Sequence, residues 1–134
     1  MTRAVADTVT SQPAWMPRFL APAHVADDYV IDQWQYVGVA DTPGEDARCR
    51  LWLQLEQGLR VQARFALFGP PVAVAAADWL CEQINDQTFN DARGITSRDV
   101  ETALALSPTE RYAALLVTDA LINALANTPA NLGT

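Results

Sequence analysis

The stretch Ala63-Arg64-Phe65-Ala66-Leu67-Phe68-Gly69-Pro70-Pro71-Val72-Ala73-Val74-Ala75-Ala76-Ala77-Asp78-Trp79-Leu80 carries two hydrophobic periods back to back. Over 59–68 the period is two. Leu59, Val61, Ala63, Phe65 and Leu67 fall on one side, and Arg60, Gln62 and Arg64 on the other, which predicts a half-buried strand. After Gly69 the period becomes helical. Val72, Ala76, Trp79, Leu80 and Ile84 form the apolar face, with Asp78, Glu82 and Asn85 opposite. Gly69 permits the sharp exit, and Pro70 or Pro71 suits a first helical turn, where a missing N–H costs nothing. The strand therefore runs straight into a helix spanning about 70–85.

Working back towards the N-terminus, residues 47–55 alternate cleanly. Cys49, Leu51, Leu53 and Leu55 face one way, and Arg48, Arg50, Trp52 and Gln54 the other. Pairing Leu55 with Leu59 puts both apolar sets on one side. It predicts a three-residue hairpin, Glu56-Gln57-Gly58, with Gly58 left-handed. In that register Arg50 lies opposite Arg64. Asp41–Asp46 reads as an acidic turn. Residues 29–39 are rich in aromatic and β-branched side chains and predict a further strand, bulged near Tyr36–Gly38. Residues 14–20 predict a short helix ended by Pro22, and 1–12 a frayed tail.

Towards the C-terminus, Thr88–Gly94 predicts a one-turn helix closed by Gly94. Thr96-Ser97-Arg98-Asp99 is a capping pattern for a helix to Ala105. Ser107-Pro108 opens a last, deeply packed helix to about Ala126. The expected class is α+β, a single domain over 1–134, with a three-stranded antiparallel sheet carrying helices on one face.

Composition narrows the chemistry. Net charge is −7, all nine basic residues are arginine, and His24 is the only histidine. Lysine-based covalent catalysis is excluded, as is any two-histidine metal site within one chain. Nucleic acid and anionic membranes are disfavoured as partners. The two cysteines, Cys49 and Cys81, are too few for a structural zinc or a cysteine-ligated cluster within one chain. No apolar run is long enough for a membrane span. The reading is a cytoplasmic protein with reduced thiols, no cofactor and no enzymatic activity.

The stretches Gln62–Gly69, Ala75–Leu80 and Leu106–Leu125, at their spacing, resemble the IscU/NifU-type iron–sulfur cluster scaffold of the SufE/NifU fold superfamily, over roughly residues 43–126. That family holds a transient cluster or zinc with three cysteines beside an aspartate and sometimes a histidine. The resemblance puts the first cysteine position near Glu45 and the aspartate near Ala47. It puts the second cysteine on Pro70, the histidine on Tyr112 and the third cysteine on Ala113. Every thiolate is missing, so the resemblance implies a relative that has lost its ligands. A protein partner is then expected, either the assembly machinery or an acidic surface. The arginine-rich side of the hairpin, Arg48, Arg50, Trp52, Arg60 and Arg64, is the candidate contact. Two alternatives stay open: a SufE-like sulfur acceptor using Cys49, and a small-molecule site between Pro70, Tyr112 and the 41–46 loop.

Overall fold

A computed structural model describes residues 12–56 and 60–129; all but the last residue of the expected tail at 1–12, and the left-handed Gly58, lie outside them. The elements run α1 (Met16–Leu20), α2 (Asp28–Gln33), β1 (Tyr36–Thr42), a 3-10 turn (Pro43–Glu45), β2 (Ala47–Glu56) and β3 (Arg60–Phe68). Then come α3 (Pro71–Ile84), α4 (Phe89–Arg93), α5 (Ser97–Leu104), a second 3-10 turn (Pro108–Glu110) and α6 (Arg111–Ala126). The strands form one antiparallel sheet in the order β1-β2-β3. The long helices pack on one face, α3 against β3 and α6 against β1 and β2. The class is α+β, as the alternation predicts.

The junction forms where the two periods meet. Pro70 is the extended N-cap of α3 and Pro71 its first residue. The inward residues Cys49, Leu51, Val61, Ala63, Ala73, Ala76, Leu80, Leu116 and Ala120 are all fully buried in one core. The helices that cover the sheet are rich in alanine, so backbones approach closely. A Cβ on Gly38 would stand 2.2 Å from both the Ala120 carbonyl oxygen and the Ala124 nitrogen. Gly38 is therefore the contact that lets α6 lie directly on β1. The side-chain amides of Asn123 and Asn127 donate to the carbonyls of Val39 (2.8 Å) and Val37 (2.7 Å). α5 carries the expected Thr96/Asp99 capping box. Gly94 ends α4 in the right-handed region, at φ −80°, rather than as a left-handed cap.

Three expectations fail, each for a physical reason. The hairpin register is shifted by two residues. Leu55 faces Val61, Glu56 faces Arg60, Trp52 faces Arg64 and Arg50 faces Ala66. Both registers put the apolar sets together, because a shift of two is one full strand period. The observed one sets Glu56 against Arg60 and removes the Arg50–Arg64 opposition, which costs energy.

The second failure is the first half of the strand over 29–39; its second half stands, as β1 from Tyr36. Asp28–Gln33 is helical, and the Asp27 carboxylate accepts the Val30 N–H at 2.9 Å as its cap. Local β-propensity is overridden by the route of the chain. His24–Ala26 lies along the outer edge of β3, with Phe65 N–H donating to His24 C=O (3.0 Å) and Ala26 N–H to Phe65 C=O (2.7 Å). β1 is at the other edge, so the chain must cross the sheet between Ala26 and Tyr36. It crosses on the face opposite α3 and α6. Val30 (5% exposed) and Trp52 (4%) are buried there, apart from the main core, and the Arg64 guanidinium stacks 5.6 Å from the Trp34 ring.

The third failure is Asp78, assigned to the polar face of α3 but 2% exposed. Its Oδ1 accepts the backbone N–H of Ala23 (2.7 Å) and of His24 (3.0 Å), and lies 3.1 Å from His24 Nδ1. A carboxylate can only accept, so Nδ1 carries the hydrogen. Oδ2 pairs with Arg18 at 3.1 Å, and Arg18 reaches Glu82 at 2.8 Å. Replacing Asp78 with alanine leaves two partly buried N–H groups without their acceptor and takes from Arg18 one of its two carboxylates. The expected result is a loss of about 3–5 kcal/mol in urea unfolding, far above the loss for Glu82→Ala at the exposed end of the same network. Equal losses for the two variants would refute this weighting.

Candidate functional site

Three elements converge at one end of the sheet. The 3-10 turn after β1 brings Glu45, and Asp46 closes it in the left-handed region at φ 52°. β2 starts at Ala47. β3 ends at Phe68 and is followed by Gly69, whose φ of 153° disfavours any side chain. A Cβ there would lie 2.9 Å from the Ala47 Cβ, so the strand exit touches the start of β2. Pro70 follows at the N-cap of α3. The first turn of α6 carries Tyr112 and Ala113, with the Tyr112 hydroxyl near the Glu45 carboxylate.

These elements carry the five positions singled out in the sequence: Glu45 is close enough to Tyr112 to raise the pKa of its hydroxyl, Glu45 and Pro70 line one depression, and Gly69 touches Ala47. Ala47 (4% exposed) and Ala113 (0%) pack as methyl groups. Pro70 and Tyr112 are half-buried and Glu45 is exposed. The Tyr112 hydroxyl is held above the ordinary tyrosine range, first by burial and then by the nearby carboxylates of Glu45 and Glu110. At these five positions the donors are thus one exposed carboxylate and one phenol. Among the described residues, no group of three or more His, Cys, Asp or Glu side chains stands close enough to hold a metal ion. A thiolate-ligated cluster does not fit this corner.

The cysteines are elsewhere. Cys49 and Cys81 are both fully buried between β2 and α3. Burial pushes the Cys49 thiol up to about 12. Cys81 is pushed well above its usual value, by burial first and then by the neighbouring Cys49 and Asp78. Neither is a nucleophile in this conformation.

The expected arginine surface is divided. Trp52 is buried, and Arg64 is half-buried, stacking on Trp34 and donating to its neighbouring Ala63 carbonyl. Arg60 donates to the Asp86 carbonyl at the far end of the sheet. Only Arg48 and Arg50 remain exposed beside the corner. Arg50 lies 4.9 Å over Trp52, and Arg48 sits 3.4 Å from Asp41. A residue outside the expected set is Phe68, which is 68% exposed at the lip of the corner. Its signal was present: it is an aromatic on the polar side of the alternation, directly before Gly69. Depressions on both sides of Phe68 are lined by Asp41, Asp46, Arg48, Gly69 and Pro70. The expected small-molecule site is not an enclosed pocket, since Glu45, Asp46, Phe68 and Gly69 are all exposed.

A sheet end, a helix N-terminus and the start of a second helix thus lie at one end of a small α+β domain. Residues 16–132 match the family model described as the NifU-like N terminal domain, and the chain belongs to that family. It is 32% identical over 78 residues to the iron-sulfur cluster assembly protein IscU of Plasmodium falciparum (isolate 3D7), covering 58% of this chain and 48% of that protein. It is 26% identical over 90 residues to the iron sulfur cluster assembly protein 1 of Trachipleistophora hominis, covering 67% and 65%. The matches thus span about half to two-thirds of the length of these relatives. Among solved structures, a protein of the thermophile Fervidobacterium islandicum AW-1, assigned as an iron–sulfur cluster assembly scaffold for the SUF system, superposes with a TM-score of 0.57. Its identity is 13%, over 75% of this chain and 96% of that one. A hypothetical protein superposes at 0.63, also 13% identical, over 85% and 95%. At such identities the likeness is one of fold.

Two outcomes check the site. A thiol reagent should label neither cysteine in the native protein, with a rate at least ~100-fold below that in denaturant; rapid native labelling of Cys49 would restore the sulfur-acceptor alternative. Tyr112 should titrate above a free tyrosine, and Glu45→Gln should lower it part of the way. A Tyr112 that does not respond to Glu45→Gln would show that the turn and α6 do not meet.

Proposed function

We propose that this chain is a family member that has lost its cluster ligands. In this reading it serves iron–sulfur assembly, the work named for its relatives, as a non-catalytic accessory protein that binds another protein. One observation carries the reading: the convergent corner holds Glu45, Ala47, Pro70, Tyr112 and Ala113, while both thiols lie in the core. Iron–sulfur clusters are held by thiolates. Methyl groups and a pyrrolidine ring offer no lone pair to iron, and a single carboxylate with a neutral phenol is too hard and too sparse a donor set. Tyr112 and the alanines instead close the corner by packing. No helix among the described residues is long and apolar enough to cross a membrane, and a cytoplasmic place of action goes with this proposal. The sulfur-acceptor alternative draws no support from a thiol buried on every side.

Anaerobic incubation with ferrous iron, sulfide and reductant, followed by desalting, tests it. The wild-type chain should emerge colourless and free of iron. The triple variant Glu45→Cys, Pro70→Cys, Ala113→Cys, incubated separately with a zinc salt and desalted, should retain stoichiometric zinc. Iron retained by the wild type would overturn the reading. A folded triple variant without zinc would show that these three positions are not the lost site.

A further inference from the structure

The outer face of the sheet, opposite the long helices, is built in two halves of different height. One half is covered by α2, which crosses over Trp52 on its way from β3 to β1. The other half, towards the corner, is bare sheet. By register its rows are Val39, Arg50 and Ala66, then Asp41, Arg48 and Phe68. Val39 is 43% exposed and Phe68 68%. In a chain of net charge −7 this half carries two arginines. The Arg48–Asp41 pair is 3.4 Å long, with side chains 63% and 47% exposed, so Arg48 stays available. Arg50 has no carboxylate partner among the described residues.

The raised half has the opposite character. Asp27, Asp28 and Asp32 are exposed on or beside α2, and so are Tyr29 (67%) and Ile31 (41%). One face therefore offers an acidic, apolar ridge beside a basic, apolar shelf. A two-fold rotation brings each ridge over the other copy's shelf, which is the self-complementarity an isologous dimer requires. We propose that the occupant of the bare half is a second copy of this chain, packed outer face to outer face. Tyr29 and Ile31 of one copy lie on Val39 and Phe68 of the other, and Asp32 faces Arg50. Nothing in this packing depends on whether the corner ever held a ligand.

The arrangement makes an asymmetric demand that a test can use. Arg50→Glu sets a new carboxylate against Asp32 twice in its own dimer, and Asp32→Arg sets a new guanidinium against Arg50 twice. A mixed dimer of the two variants pairs opposite charges at one contact across its interface and leaves the native pair at the other. Sedimentation velocity of the full chain from micromolar to submillimolar concentration should show a reversible dimer, weakened by salt. Each single variant should raise the dissociation constant by at least ~10-fold while keeping its melting temperature, and an equimolar mixture should restore the dimer. A wild type that stays monomeric throughout overturns the proposal, and would leave the shelf to an unrelated acidic protein. Dimerisation unaffected by Arg50→Glu, or a mixture that stays monomeric, equally overturns it.

Discussion

A carboxylate buried among alanines is the constraint from which the rest of the architecture follows. Asp78 sits mid-helix in α3, and a charge in such a place is tolerated only when fully paired. Its partners all come from outside the helix: two consecutive backbone N–H groups at Ala23 and His24, the His24 imidazole, and Arg18. Those contacts fix residues 18–24 against α3. They set His24–Ala26 on the edge of β3, and from that edge the chain has one way to reach β1. The crossing helix, the burial of Trp52 beneath it, and the division of the outer face are downstream of one ionised side chain.

Much of this fold was legible in residue spacing, and the misses share a cause. The junction at Gly69, the strands on either side of 57–59, the Thr96 cap and the Ser107-Pro108 start depend on local chemistry that is written locally. What failed was decided at a distance. Parity of alternation cannot separate registers two residues apart, so the pairing of Glu56 with Arg60 was invisible. Tyr29, Val30 and Ile31 favour a strand by themselves, yet they are helical because the chain must traverse the sheet. Asp78 falls on the polar side of a helical wheel. Nothing in its neighbours reveals that residues more than fifty positions upstream need an acceptor.

The corner was legible for a different reason. Its five positions come from three separate stretches, and the resemblance supplied their convergence. The structure adds how the space is used. Ala47 and Ala113 are sealed, Gly69 is pressed against Ala47 too closely for any side chain, and Tyr112 is half-buried near Glu45. The exposed aromatic at the lip, Phe68, escaped notice because it belongs to the polar register of its strand. An aromatic in that register is itself the signal of an exposed apolar contact.

The two asparagine amides of α6 carry a further meaning. By occupying the carbonyls of Val37 and Val39, Asn123 and Asn127 remove acceptors that an incoming strand needs at the exposed rim of β1. Along most of β3 the N–H groups of Val61, Ala63 and Phe65 are taken up by acceptors on Gln87, Asn85 and His24, and the Phe65 carbonyl by the Ala26 N–H. Both margins of the sheet are thereby blocked against growth by main-chain pairing. Whatever associates with this molecule must grip it through side chains on a face, and runaway fibre-like stacking is denied a template.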